Sequence, residues 1–164
     1  MNDPDYLTPG RFRRLGFLLA VVIAVADQAT KVWALDGWFD PPRVIEVTSF
    51  FNLVAVWNTG VSFGFLAGYS DWMPLALSAF AVAVTIGLAI WLWRSEGRVL
   101  AIGLGLVIGG AIGNVVDRLR FGAVVDFIDL HAAGYHWPAF NLADSAITIG
   151  VGLLLIDSFT RRDG

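Results

Sequence analysis

Two carboxylates, Asp126 in AVVDFIDL and Asp144 in FNLAD, stand on either side of a stretch rich in aromatic and turn residues. Two carboxyls held close together cannot both ionise, so they share a proton and titrate as a coupled pair. The ionised member can take a proton from water. The protonated member can hydrogen-bond a scissile carbonyl and then supply the leaving amine with its proton. That chemistry is peptide hydrolysis without a covalent intermediate. Other chemistries lack their residues: the 164-residue chain has no cysteine and only two histidines. Disulfides, thiolate metal sites, cysteine catalysis and a three-histidine metal centre are therefore excluded, and no HExxH or other ligand spacing is present. Ser62, Ser145 and Lys31 lie in no recognisable nucleophile motif.

Each candidate also has a structural reading. Asp126 is flanked by Val124, Val125, Phe127 and Ile128. A carboxylate among apolar neighbours costs free energy unless it is paired or protonated, and desolvation raises its pKa. The alternative, an exposed strand or loop aspartate, suits Asp129 better. Asp144 follows Asn141 by three residues, so Asn141 as N-cap makes Asp144 the N3 partner of a capping box; local sequence favours capping. Asp117, three after Asn114 and next to Arg118, reads first as a helix terminus with a local ion pair. Asp27 and Lys31 are four residues apart and share a helix face. They form either a neutralised pair with Lys31 snorkelling to the interface or an inward-facing support for a site. Asn58 and Gly60 are most simply turn residues, with a ligand-directed side chain as the alternative.

The elements that must position these groups belong to a membrane. Apolar residues make up 57% of the chain and charged ones 15%, against about 25% charged in soluble domains, and mean hydropathy is +0.68. The net charge of −3 argues against a nucleic-acid partner. Four apolar runs predict spans at about 15–35, 72–93, 99–116 and 140–159, each near the ~20 residues a bilayer core requires. Between the first two, residues 43–66 are dense in Val, Ile, Thr, Phe and Trp and read as a β-rich surface element. Gly105, Gly109 and Gly113 recur four apart in the third run and predict close helix packing. The polar island Asn114–Asp144 lies between the third and fourth runs, and polar groups in so apolar a chain mark a working site. With both termini cytoplasmic, the inner side carries Arg11, Arg13, Arg14, Arg94, Arg98, Arg161 and Arg162. The outer side carries only Lys31, Arg43, Arg118 and Arg120, so the bias supports that orientation. Asp157, four before Arg161, reads as an interfacial ion pair. The first run after its arginines also has the form of a cleavable signal peptide.

DQATK (27–31), NTGVSFG (58–64), GGAIGNVVDR (109–118), VVDF (124–127) and FNLAD (140–144), in this order, resemble the lipoprotein signal peptidases (signal peptidase II) of bacterial cytoplasmic membranes. The resemblance covers nearly the whole chain and makes the first run a retained span. It implies an all-α membrane protein, a single domain over 1–164, with four transmembrane helices and a small extracytoplasmic β-rich cradle. It implies an aspartic endopeptidase that cuts a prolipoprotein before its diacylglyceryl-modified cysteine, with Asp126 and Asp144 as the catalytic pair. Asp27, Lys31, Asn58, Gly60, Asn114, Asp117, Arg118 and Asn141 match the family's substrate-binding or supporting positions; Asp129 matches none. No metal and no cofactor is implied. The expected partners are the lipidated substrate and the bilayer, the expected state a monomer, and the site is expected at the extracytoplasmic face. A lipidated substrate would arrive laterally, so the pocket should be partly apolar and open to lipid. Asp144 near a helix start should favour the charged form and Asp126 the neutral form, making Asp144 the base. Two other classes compete. A proton-coupled carrier would use Asp27, Asp126 and Asp144 as a relay, and an assembly factor would depend on the glycine-rich third run.

Overall fold

The structure, a computed structural model, describes residues 9–60 and 72–160. Among the described residues four helices are long and apolar enough to cross a membrane: α1 (Pro9–Trp38), α2 (Met73–Trp93), α3 (Arg98–Phe121) and α4 (Leu142–Thr160). The chain is a multi-pass membrane protein, mostly helical. Four strands among the same residues, β1 (Ile45–Thr48), β2 (Phe51–Asn58), β3 (Val124–Ala132) and β4 (Tyr135–His136), form one antiparallel sheet in that order.

Glycine makes α3 the central helix. Of its most apolar window 67% is buried, against 22%, 11% and 17% for α1, α2 and α4. A Cβ added at Gly105 would lie 2.5 Å from Gly16 O, and one at Gly109 2.6 Å from Ala20 O, so this stripe receives the α1 backbone. Gly110 serves α4 in the same way, with an added Cβ 2.5 Å from Ala143 O. Apolar helices gain little from burial against one another in lipid, and such backbone approach supplies the dispersion contact that holds them. Outward residues such as Phe80, 71% exposed, face the hydrocarbon rather than water.

The sheet is joined to the bundle through the end of α1. Ala34, Trp38 and Phe39 pack on Val125 and Phe127 of β3, and the Trp38 indole N–H donates to Val54 O at 2.8 Å. This anchorage carries α1 past residue 35. Other boundaries also differ from the sequence expectation. α3 continues beyond Val116 to Phe121, where Gly122 (φ 70°) donates its N–H to Arg118 O and ends it; left-handed backbone at this position favours glycine. Arg118 thus lies in the last turn of the helix, with Asp117 just before it. After α3 the island holds a nine-residue strand, β3, on which Asp126 is buried rather than exposed. The β-rich reading of 43–66 holds for β1 and β2, while 61–66 lie outside the described residues, as do Arg161 and Ser62.

Candidate active site

The first turn of α4 is built by Asn141. Its Oδ1 accepts the N–H of Asp144 at 3.0 Å, and Asp144 Oδ2 accepts the N–H of Asn141 at 3.2 Å. This is the capping box anticipated from the spacing. It does not use up the Asp144 carboxylate, whose Oδ1 accepts a hydrogen bond from Asn114 Nδ2 at 2.8 Å. Asp27 of α1 satisfies another free amide at this helix start, accepting from Ala143 N at 2.9 Å.

β3 brings in Asp126. Register pairs Val56 with Asp126 and Asn58 with Val124, which carries the Asn58 side chain to the carboxylate. Asn58 Nδ2 donates to Asp126 Oδ2 at 2.9 Å, and Asn141 Nδ2 donates to Oδ1 at 2.7 Å. Asp126 is 1% exposed. Burial raises its pKa, the Asp144 charge raises it further, and the two amide hydrogen bonds only partly offset this, leaving it at about 7.

Lys31 lies beneath the pair, 1% exposed. Its ammonium contacts Asp27 Oδ2 at 2.8 Å, Asp117 Oδ2 at 2.9 Å and Asn114 Oδ1 at 2.9 Å. Three N–H groups meet three oxygens, as a buried ammonium needs. Lys31 is therefore fully enclosed, not snorkelling. Asp117 pairs with Lys31 rather than with its neighbour Arg118, and it also accepts from Val125 N at 3.0 Å, tying α3 to β3. Arg118 instead reaches Gly60 O at 3.1 Å, and its charge faces those of Asp144, Asp126 and Asp117. Among the described residues its Nε is buried without a partner.

All ten residues anticipated from the sequence therefore meet in one network drawn from α1, β2, the turn after it, α3, β3 and the start of α4. Gln28 was not anticipated. Its Nε2 donates to Asp117 Oδ1 at 2.9 Å and to Gly113 O at 3.2 Å; its place beside Asp27 was the available signal. Gly113 also belongs here, because an added Cβ would run into Asp27 Oδ2. A groove of about 420 Å³ opens beside Asp144, lined by Trp137, Pro138, Ala139 and Phe140 on one side and Ser145, Thr148 and Ile149 of α4 on the other. The Ser145 and Thr148 hydroxyls bond back to Asn141 O and Asp144 O, so the groove presents mainly carbon.

Asp129 belongs to a separate cluster. Asn52 Nδ2 donates to it at 2.9 Å, and His136 Nδ1 lies 2.9 Å from both its oxygens. Burial alone would raise this carboxyl, but the bonds from His136 and Asn52 and the nearby imidazoles of His136 and His131 outweigh it and hold it below its usual value. A depressed carboxyl stabilises the fold above its unfolded pKa, near 4, and that contribution is lost as pH falls through the folded value. Asp129→Asn should accordingly lower the thermal midpoint near neutral pH, by about 2–4 °C if one charged hydrogen bond is lost. The difference between variant and parent should shrink as pH falls through the folded value of Asp129, and peptidase turnover should stay within about threefold throughout, since hydrogen bonds of this kind act locally.

Four membrane-crossing helices among the described residues, with an antiparallel sheet at one end and a carboxylate pair of which Asp126 is buried and Asp144 half-buried, define a class: a small polytopic membrane protein with an acid–base site at the bundle end. The family profile of signal peptidase (SPase) II matches residues 19–160. A lipoprotein signal peptidase of Rhodopseudomonas palustris (strain TIE-1) is 52% identical over 151 residues, 88% of this chain and 92% of its own. One from Nitrobacter hamburgensis is 48% identical over 153 residues, 90% and 93% of the two chains. A solved bacterial membrane enzyme superposes with a TM-score of 0.77 at 30% identity, covering 89% of this chain and 88% of that one. The chain belongs to the signal peptidase II family, and is a peptidase by that membership.

Proposed function

We propose that this protein is an aspartic endopeptidase of the bacterial inner membrane. It removes the signal peptide from prolipoproteins just before the diacylglyceryl-modified cysteine, with Asp126 and Asp144 as the catalytic pair. One observation carries the reading: two carboxyls from different elements, β3 and α4, are held in a single network by Asn58, Asn114 and Asn141. Each asparagine has its oxygen engaged by a group that can only donate, namely Gly60 N, Lys31 Nζ and Asp144 N. Each therefore turns its NH₂ toward a carboxylate. A capping role for Asp144 alone would not require Asn114, nor a buried acid opposite it.

In this mechanism Asp144, supported by Asn114 and by the α4 N-terminus, is the base that takes a proton from water. Asp126 holds the shared proton, bonds the scissile carbonyl, and passes the proton to the leaving amine. The carbon-lined groove beside Asp144 suits an acyl chain of the modified cysteine, entering from the bilayer. The site faces the extracytoplasmic side, both termini are cytoplasmic, and one chain suffices for the whole network.

The direct test is incubation with a lipidated precursor peptide and its unlipidated twin. The lipidated peptide should be cut before the modified cysteine and the twin at least about 100-fold more slowly, a preference of a few kcal/mol. Equal rates, or cutting elsewhere, would overturn the substrate assignment. The pH profile tests the proton placement. A raised acid is protonated below its pKa and lost above it, so kcat/KM should fall on the alkaline side with a midpoint near 7, the value to which Asp126 is raised. The midpoint belongs to the coupled pair. Activity still climbing at pH 8.5 would remove Asp126 from the acid role.

A further inference from the structure

We infer that Lys31 is a positioning residue for the dyad: by fixing which end of the Asn114 amide faces Asp144, it decides which carboxyl carries the shared proton. The inference rests on the catalytic reading above and extends it one step inward, to a lysine that touches neither aspartate of the pair in the hydrogen-bond network.

An asparagine amide can present either its oxygen or its NH₂ to a neighbour, and the two ends differ little in shape. At Asn114 the choice matters more than usual. The NH₂ donates to Asp144 Oδ1 at 2.8 Å and stabilises its ionised form. The reversed amide would put an oxygen against the carboxylate and favour a proton there instead. Asn141 Nδ2 lies 3.2 Å from Asn114 Oδ1, a longer contact than its 2.7 Å bond to Asp126. Lys31 Nζ, at 2.9 Å from Asn114 Oδ1, is the firmer constraint. An ammonium can only donate, so it admits one orientation of the amide.

Lys31 can do this because it cannot turn away. Its other two donors are engaged by Asp27 and Asp117, at 2.8 and 2.9 Å. Those carboxylates are themselves held, Asp27 by the α4 amide of Ala143 and Asp117 by Gln28 and Val125 N. The charged groups facing the dyad are then Lys31 and Asp27 from α1 and Asp117 and Arg118 from α3. Asp126 comes from β3 and Asp144 from α4. Any buried ammonium needs a third acceptor. What marks a positioning role is which acceptor it takes: an amide oxygen whose NH₂ end bears on Asp144.

The test uses the full-length enzyme in detergent or liposomes with the lipidated peptide. Lys31→Met removes the firmer of the two constraints on the Asn114 amide, and Asn114→Leu removes the amide while leaving the Asp27–Lys31–Asp117 cluster in place. For each folded variant kcat should fall at least about tenfold with KM changed less than threefold. The acid limb of the kcat–pH profile should move upward by about one pH unit, a tenfold change in proton affinity of the dyad. The double variant should move it no further, since both changes cut one path. A folded Lys31→Met or Asn114→Leu whose limb does not move, or whose loss lies in KM, overturns the inference and leaves Lys31 structural. Should the variants not fold, selective ¹⁵N labelling of asparagine in the native enzyme decides: the Asn114 side-chain resonance must follow the titration of the dyad, and one indifferent to it overturns the inference. A native enzyme that cuts no lipidated peptide overturns the functional reading itself, a separate outcome.

Discussion

Asp126→Asn and Asp144→Asn should each cut turnover of a lipidated precursor by at least about a thousandfold, in the range lost when an essential acid or base is removed. Both variants should still fold. Asparagine at 144 keeps an oxygen for the capping bond from Asn141 N. At 126 an amide leaves one of the two incoming NH₂ groups, from Asn58 or Asn141, facing another donor. One lost hydrogen bond is worth about 1 kcal/mol and shifts a midpoint by about 2–4 °C in a chain this size. Catalysis collapses, therefore, while stability barely moves. The double variant should be no slower than the singles, because two groups that share one proton act as a unit. If either single variant kept near-normal turnover with a normal melting curve, the dyad assignment would fail. A carrier using these acids as a relay would instead show flux across proteoliposomes and no peptide cleavage in the parent protein.

How far the residues disclose this arrangement depends on the range of the interaction. The four spans are legible because hydropathy is a sum over about twenty residues, and chance neighbours do not disturb it. The capping box at Asn141 and Asp144 is legible because its bonds close within four residues. The Asp27–Lys31 pair is legible because one helix turn brings it together. The error at Asp117 has the opposite cause. Its adjacent cation is Arg118, but its ion-pair partner is Lys31, on another helix, and only the glycine-mediated approach of α1 to α3 makes that pairing. β3 was hidden for a related reason. Val124–Ala132 alternates too weakly to announce a strand, and its partner β2 lies some seventy residues earlier. The groove is the least legible feature, since it exists only between the segment 137–140 and a face of α4.

The glycines of α3 separate assembly from chemistry. Gly109→Leu should destroy both. A Cβ there would lie 2.6 Å from Ala20 O and 2.8 Å from Ile23 Cβ, and the first of these is backbone, which cannot swing aside. α1 must then move off α3. Because α1 carries Asp27 and Lys31 while α3 carries Asn114 and Asp117, the displacement pulls the buried cluster apart. Overpacking costs about 1–3 kcal/mol, and separating buried charges about 3–5 kcal/mol more. Together these would lower the midpoint by about 10 °C or more, with activity falling below one part in a thousand as the dyad loses its support. Gly87→Leu on α2 is the control, because an added Cβ there meets nothing within 4 Å; it should change stability by less than about 0.5 kcal/mol and leave turnover intact. Melting curves and peptide cleavage on the same four proteins, Gly109→Leu, Gly87→Leu and the two aspartate variants, distinguish the alternatives. A peptidase loses cleavage in three of them and stability in one. An assembly factor resting on α3 would lose function only with Gly109→Leu, and the aspartate variants would behave like the parent.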